Sequence, residues 1–289
     1  MVKMKEEKLN RTKGTKIAFA IILTIFALYT FFILFAISWT FLQSLKGNKE
    51  FWRDMISLPK DWLFANYATA FSAITYNKVN LFGMFFNSLI FSVGMSLLSV
   101  FMHCVTGYVF AKYKFFAKEA VFSFVIFTLI LPIVGNLPAL YKLVYNMGIN
   151  DSILFMVTAL GGFGGNFLIT YAFFKNIDWS YAEACFIDGG GHFYVFFRIM
   201  LPLAVGPIFA LSIVGVIFQW NNYETPMLFL DKMPTLASGL LYYRAVTKAT
   251  SSEPIYFAGV LMATVPVLVL VSIFGNKIMT NMTIGGVKG

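Results

Sequence analysis

Few side chains in this sequence are placed to do covalent chemistry. It has no G-x-x-x-x-G-K-[ST] loop to cradle a nucleotide, no H-E-x-x-H pair to hold zinc and no G-x-S-x-G elbow to activate a serine. The two histidines, His103 and His192, and the two cysteines, Cys104 and Cys185, are too scattered for a metal set or a disulfide framework, and both thiols are expected to be free. Polar residues cluster with unusual organisation in one segment. Tyr181-Ala182-Glu183-Ala184-Cys185-Phe186-Ile187-Asp188 leads into Gly189-Gly190-Gly191-His192, and Arg198-Ile199-Met200-Leu201-Pro202 closes it. Residues 182–187 favour helix, the glycine triplet admits positive φ and so a sharp turn, and 194–200 can resume a helix before Pro202 opens the next element. Such a stub carries Glu183 and Asp188 beside Phe186, Ile187, Phe193, Phe196 and Phe197. Its chemistry is recognition of another macromolecule rather than catalysis.

Composition dictates what must carry this segment. Of 289 residues, 59% are hydrophobic and 12% charged, against roughly 45–50% and 25% in soluble domains. A soluble fold is excluded and an all-α integral membrane protein is expected. The net charge of +9 does not point to nucleic acid, because Lys and Arg sit between apolar runs, where they orient a chain in a bilayer. Six transmembrane helices are read at about 17–42, 84–110, 120–141, 152–174, 203–223 and 256–276, with tails at 1–16 and 277–289. The first run holds 26 residues, 16 of them Leu, Ile or Phe, which favours insertion by roughly 5–10 kcal/mol. A secretory leader would have an apolar core of only about 7–15 residues and a small-residue cleavage site, and neither is seen. Six crossings put both termini on one side, together with the 177–202 loop. That side carries 13 of the 22 Lys and Arg, so it is expected to be cytoplasmic.

No carboxylate, lysine or arginine falls inside the six spans. Ion-coupled transport normally leaves such groups at membrane depth, and His103 without an acidic neighbour is expected to be a packed histidine. If this chain moves solute uphill, another subunit supplies the energy.

The spacing Glu183-Ala184-Cys185, three residues, Gly189, nine residues, Ile199-x-Leu201-Pro202 resembles the EAA loop of bacterial ABC-importer permease subunits, with Cys185 in place of the usual third small Ala. Asn87-Ser88-Leu89, Trp220-Asn221 with Pro226, and the terminal Gly286-Val287-Lys288-Gly289 are similar to the maltose-type, sugar-importing branch. The resemblance implies that the loop is a coupling helix between helices 4 and 5, with Glu183, Ala184 and Cys185 at the docking face, Asp188 and Gly189 at the turn, and Ile199, Leu201 and Pro202 completing the motif. It further implies a second permease chain, two ATPase subunits that hold ATP and Mg, an extracytoplasmic sugar-binding protein and a home in the bacterial inner membrane. This chain itself is expected to bind no cofactor.

For a sugar path, neutral amides and aromatic faces are the apt groups, since hydroxyls need hydrogen bonds and the C–H face stacks on rings. Those at membrane depth are Asn87, Ser88, Asn136, Tyr141, Asn166, Gln219, Trp220, Asn221, Asn222 and Tyr223, with Tyr145 nearby. Each has an alternative role, because polar residues in membrane helices also tie helices together and Trp and Tyr anchor the interface. A permease for amino acids, phosphonates or metals would share the loop but would line its path with charged or metal-binding groups. A membrane scaffold would need no ATPase.

Overall fold

The computed structural model describes residues 13–131, 137–246 and 252–283. Among the described residues the chain is mostly helical, with one two-stranded hairpin. Three helices are long and apolar enough to cross a membrane: α1 (Lys13–Ser44), α4 (Leu81–Lys112) and α14 (Glu253–Thr283). Two bent pairs are long and apolar enough to cross if each counts as one span. A 3-10 helix (Ile153–Leu160) meets α7 (Gly165–Asn176) at 55°, and the rod His192–Leu203 meets α11 (Val205–Trp220) at 74°. The third expected span is divided: α5 (Lys118–Ile130) and α6 (Leu137–Asn146) are separate helices, with 132–136 outside the described residues.

The bend near Ala204 has a local cause. The rod comprises α9 (His192–Tyr194), a π-helical stretch (Val195–Met200) and α10 (Leu201–Leu203). Pro202 has no N–H and its ring crowds the carbonyl four residues back, so the preceding turn widens and Leu201 N–H donates to Phe196 O, five residues back. Pro207 cannot donate to Leu203 either, and the helix breaks between the two prolines. Pro202 thus ends the rod instead of opening the next span.

Helix α4 is the axis of the bundle, packed against α7 on one side and α11 on the other, and α11 continues to α14, which holds α1. Small residues set the approach. A Cβ on Gly107 would collide with Thr170 Oγ1, whose hydroxyl donates to His103 O at 2.7 Å, and Ser96 Oγ donates to Ser212 O at 2.7 Å. Polar ties of this kind hold helices together in lipid, where the hydrophobic effect gives little. His103 is buried, and its Nδ1 donates to Ser99 O at 2.6 Å. It is a packed histidine.

At the end of the bundle where α4 begins sit α2 (Asn48–Arg53), α3 (Ala65–Ala73), β1 (Thr75–Tyr76), β2 (Val79–Asn80), α12 (Glu224–Phe229) and α13 (Leu236–Val246). Asn77 and Lys78 both take positive φ, 48° and 68°, as a two-residue type I′ hairpin turn requires. Helix α3 places Tyr67 and Phe71 four residues apart, on one side of the helix. At the other end, α8 (Ser180–Ile187) and the rod fold back on the last turns of α4.

Candidate functional site

The 177–202 loop is a helix, a turn and a helix. Asp178 accepts from Ser180 N–H at 2.8 Å, which with the Ser180 hydroxyl and the nearby Lys112 charge holds its carboxyl below the usual range. Lys112 Nζ donates to Ile177 O, tying the start of the loop to the end of α4. Helix α8 then stops in a Schellman turn. Gly189 takes φ +83°, its N–H donates to Phe186 O at 3.1 Å, and Gly190 N–H donates to Cys185 O at 2.8 Å.

This geometry gives α8 two faces. Ala182 and Cys185 turn inward and join a core of Val100, Cys104, Tyr108, Val195, Phe196 and Met200. Glu183, Ala184, Asp188 and Gly189 are exposed, as are Ile187 at 87% and Phe193 at 82%. Cys185, at 8% exposure, therefore seats α8 on its own chain. Ile199 and Leu201 are half-buried against the same core, and Pro202 is exposed.

A ring of aromatic side chains braces the loop from the inside. Tyr113, just past α4, meets Trp179 (centroids 5.9 Å), Trp179 meets Phe186 (6.1 Å), Phe186 meets His192 (4.9 Å) and His192 returns to Tyr113 (5.5 Å). Within it Tyr113 Oη lies 2.9 Å from His192 Nδ1 and 3.2 Å from Tyr108 Oη. Each such ring pair is worth about 0.5–1.5 kcal/mol beyond its buried area. The brace therefore joins both arms of the loop to α4. Beside it lies an apolar cavity of about 280 Å3 that includes Val105, Val109 and Phe193.

Three of the sequence-selected path residues tie the bundle together. Asn87 Nδ2 donates to Pro234 O at 3.0 Å, Ser88 Oγ accepts from Leu236 N–H at 2.7 Å, and Trp220 is buried with Nε1 donating to Ala263 O at 3.0 Å. Asn166 sits half-buried in the first turn of α7, with its carbonyl accepting from Thr170 Oγ1 at 3.1 Å. Asn136 lies outside the described residues. Gln219 Oε1 accepts from Asn222 Nδ2 at 3.0 Å, and Asn222 caps α12 by accepting from Thr225 N–H at 3.0 Å. Asn221, Asn222 and Tyr223 do come together, lining an open cavity of about 730 Å3 with Val214, Phe218 and Glu224. Val214 and Phe218, with Asn221 at the C-cap, form one exposed stripe of α11 that no helix among the described residues covers. Tyr141 and Tyr145 lie at a separate cavity.

Residues 103–278 match the family model of the binding-protein-dependent transport system inner membrane component. The chain belongs to this family. The match begins at the buried histidine of α4, takes in the loop and both of its supporting helices, and ends within α14.

Relatives cover this permease almost end to end. It is 28% identical to the arabinooligosaccharides transport system permease protein AraQ of Bacillus subtilis, over 91% of this chain and 94% of that one. It is 25% identical to the diacetylchitobiose uptake system permease protein NgcG of Streptomyces coelicolor, over 89% and 85%. Its fold is shared with a bacterial ABC transporter involved in the import of the acidic polysaccharide alginate, with a TM-score of 0.75 and 18% identity over 92% of this chain and 98% of that one.

Two features of the permease escaped the sequence reading. The brace joins residues as far apart as Tyr113 and His192, and only the unusual density of rings around 179–197 hinted at it. The inward turn of Cys185 had a local signal. Ala182 and Cys185 are three apart and share one face of a helix, which leaves Glu183 and Ala184 on the other.

Proposed function

We propose that this permease is one half of the translocation unit of an ATP-driven, binding-protein-dependent importer of oligosaccharides. The observation that carries the reading is α8, anchored on one face by Ala182 and Cys185 and bare on the other at Glu183, Ala184, Ile187 and Asp188. A helix held rigidly to the bundle and bare outward is a handle, and the handle needs a motor. With no nucleotide-cradling loop in its sequence, this chain leaves ATP, Mg and hydrolysis to two ATPase subunits. Each would grip one coupling helix, on this chain and on a second permease chain.

Support for oligosaccharides comes from relatives named for arabinooligosaccharides and diacetylchitobiose uptake, and from the uncharged amides and ring of Asn221, Asn222 and Tyr223 at the end of the uncovered stripe of α11. Facing the second permease chain, that stripe would form one wall of the path, with Glu224 at its rim. ATP-driven closure of the motor would pull the handle, the aromatic brace would pass the motion to α4, and the bundle would exchange inward-open for outward-open arrangements. An extracytoplasmic binding protein would deliver sugar to the end of the bundle where α4 begins, and both termini would be cytoplasmic.

The test is affinity purification of the tagged permease from its native host in mild detergent, followed by reconstitution with the copurified subunits. ATP-dependent accumulation of neutral oligosaccharide is the expected result. Recovery of neither an ATPase nor a second permease chain would overturn the reading.

A further inference from the structure

At the end of the bundle remote from the coupling loop, a cavity of about 300 Å3 opens between α6 and the segment that follows α12. Its place is set by packing: Val144, Phe155 and Phe229 cover Phe91 and Met95 in the first half of α4, whereas the coupling loop covers Val100, Cys104 and Tyr108 in the second. Tyr141 and Tyr145, one helical turn apart, present near-parallel rings (interplanar 13°, centroids 6.5 Å), both more than half exposed, and Tyr141 leans on Phe229. Asn150, Asp151 and Asp231 supply the polar wall.

This wall is fixed. Asp151 holds φ +52°, a conformation non-glycine residues adopt at a cost, and it is kept there by its N–H donating to Phe229 O at 2.8 Å and by its carboxylate accepting from Lys232 N–H at 3.1 Å. Asp231 accepts from Tyr76 Oη at 2.7 Å while its carbonyl takes Asn77 Nδ2 at 2.9 Å, so the hairpin steadies the opposite side. Each Asp carboxylate keeps lone pairs beyond the single bond it accepts, and Asn150 adds both a donor and an acceptor.

Rings on one wall and fixed carboxylate and amide groups on the other fit the two surfaces of a pyranose or furanose, an apolar C–H face and an edge of hydroxyls. Among the described residues no Lys or Arg side chain lines the cavity. An acidic sugar entering it would meet two like charges and no counter-ion. We infer that this cavity is a receiving subsite for neutral saccharide at the outer mouth of the permease, selective against uronate sugars. The inference rests on the importer reading and narrows its substrate class.

The experiment uses the assembled transporter in nanodiscs, without its binding protein, and saturation-transfer NMR with trisaccharides of glucose and of arabinose and with trigalacturonate. Magnetisation should pass to at least one neutral trisaccharide and not to trigalacturonate, and the signal should drop about fivefold in Tyr145→Ala and in Asn150→Ala. Asp151→Asn, which keeps an acceptor for Lys232 N–H, should admit trigalacturonate. Equal signals in wild type and both wall variants, or transfer to trigalacturonate in wild type, would overturn the subsite. ATP-driven uptake by the complete system in the same membranes separates the two levels. Uptake of neutral sugar without any wild-type NMR contact removes the subsite alone, and absence of saccharide uptake removes the importer reading with it.

Discussion

Gly189→Ala isolates the turn that points α8 outward. Gly189 sits at φ +83°, and a Cβ built there meets nothing within 4 Å, so the substitution adds no clash and its effect is conformational alone. An L-residue with a Cβ pays about 1–2 kcal/mol to stay left-handed, which multiplies local opening of the turn by about 5–30. The amides that report it are Gly189 N–H and Gly190 N–H, bonded to Phe186 O and Cys185 O. Hydrogen exchange followed by mass spectrometry on 183–191 should therefore accelerate about 5–30-fold, while peptides from α4 keep their protection. Gly189→Asn should recover most of the loss, because asparagine tolerates this conformation. In the assembled transporter the Ala variant should lower transport per ATP hydrolysed, since a frayed handle transmits less motion. Unchanged exchange in Gly189→Ala would show that the turn bears no strain. Faster exchange with fully retained transport would refute the mechanical role of α8.

Further expectations follow from the same geometry. Glu183→Lys reverses an exposed charge on the outer face of α8, so the ATPase should fail to copurify while circular dichroism and elution volume stay unchanged; retained ATPase would move the docking face elsewhere. Cys104 and Cys185 are both buried free thiols, and in the folded protein maleimide should modify neither at the rate it does in detergent-denatured chain; rapid native labelling of Cys185 would mean that α8 is rotated. Tyr113→Phe removes the Oη partnered with His192 and Tyr108; it should cost about 0.5–1.5 kcal/mol per bond and appear as faster exchange at 192–195 together with looser coupling. Burial first, then the hydrogen bond to Asp231, push the Tyr76 hydroxyl from 10.0 up to about 12. Its neutral form is favoured by folding, so this contribution to stability is complete below pH 10 and lost between about pH 10 and 12. An ultraviolet difference titration of wild type against Tyr76→Phe should show one tyrosine ionising near the upper limit, and ionisation near 10 would show the hydroxyl to be neither buried nor tied to Asp231.

What was legible in this chain, and what was not, divides along the range of the interactions. Membrane residence is a property of composition, and the ends of α1 and α4 are legible to within a few residues because a continuous apolar helix satisfies its own backbone. The 177–202 loop was legible because its turn is local: a helix-forming run, a glycine at the position that needs positive φ, and a proline thirteen residues on. Which polar residues tie the bundle was not legible, because an amide serves equally to bind a hydroxyl or to hold a neighbouring stretch of backbone. Asn87 and Ser88 find their partners at Pro234 and Leu236, about 150 residues away, and no spacing rule reaches that far. Pro202 was misread as the start of a span for a different reason. Proline is favoured in a helix's first turn, but here Pro207 repeats the interruption one turn later, so the bend falls between them.

Helix α8 shows why hydrophobic patterning alone could not have found the handle. Its inner face, Ala182 and Cys185, is small and apolar, and its outer side carries Ile187 and the neighbouring Phe193 beside two carboxylates. A helix with one buried and one wet face would alternate cleanly between apolar and polar residues. This one does not, because its outer face is itself suited to burial. Under the proposed coupling role the blurred pattern would be a consequence of function: exposed apolar surface at the end of a membrane bundle, held rigid by a Schellman turn and a ring of aromatic side chains, is costly to a free chain and would be accounted for once a second protein covers it.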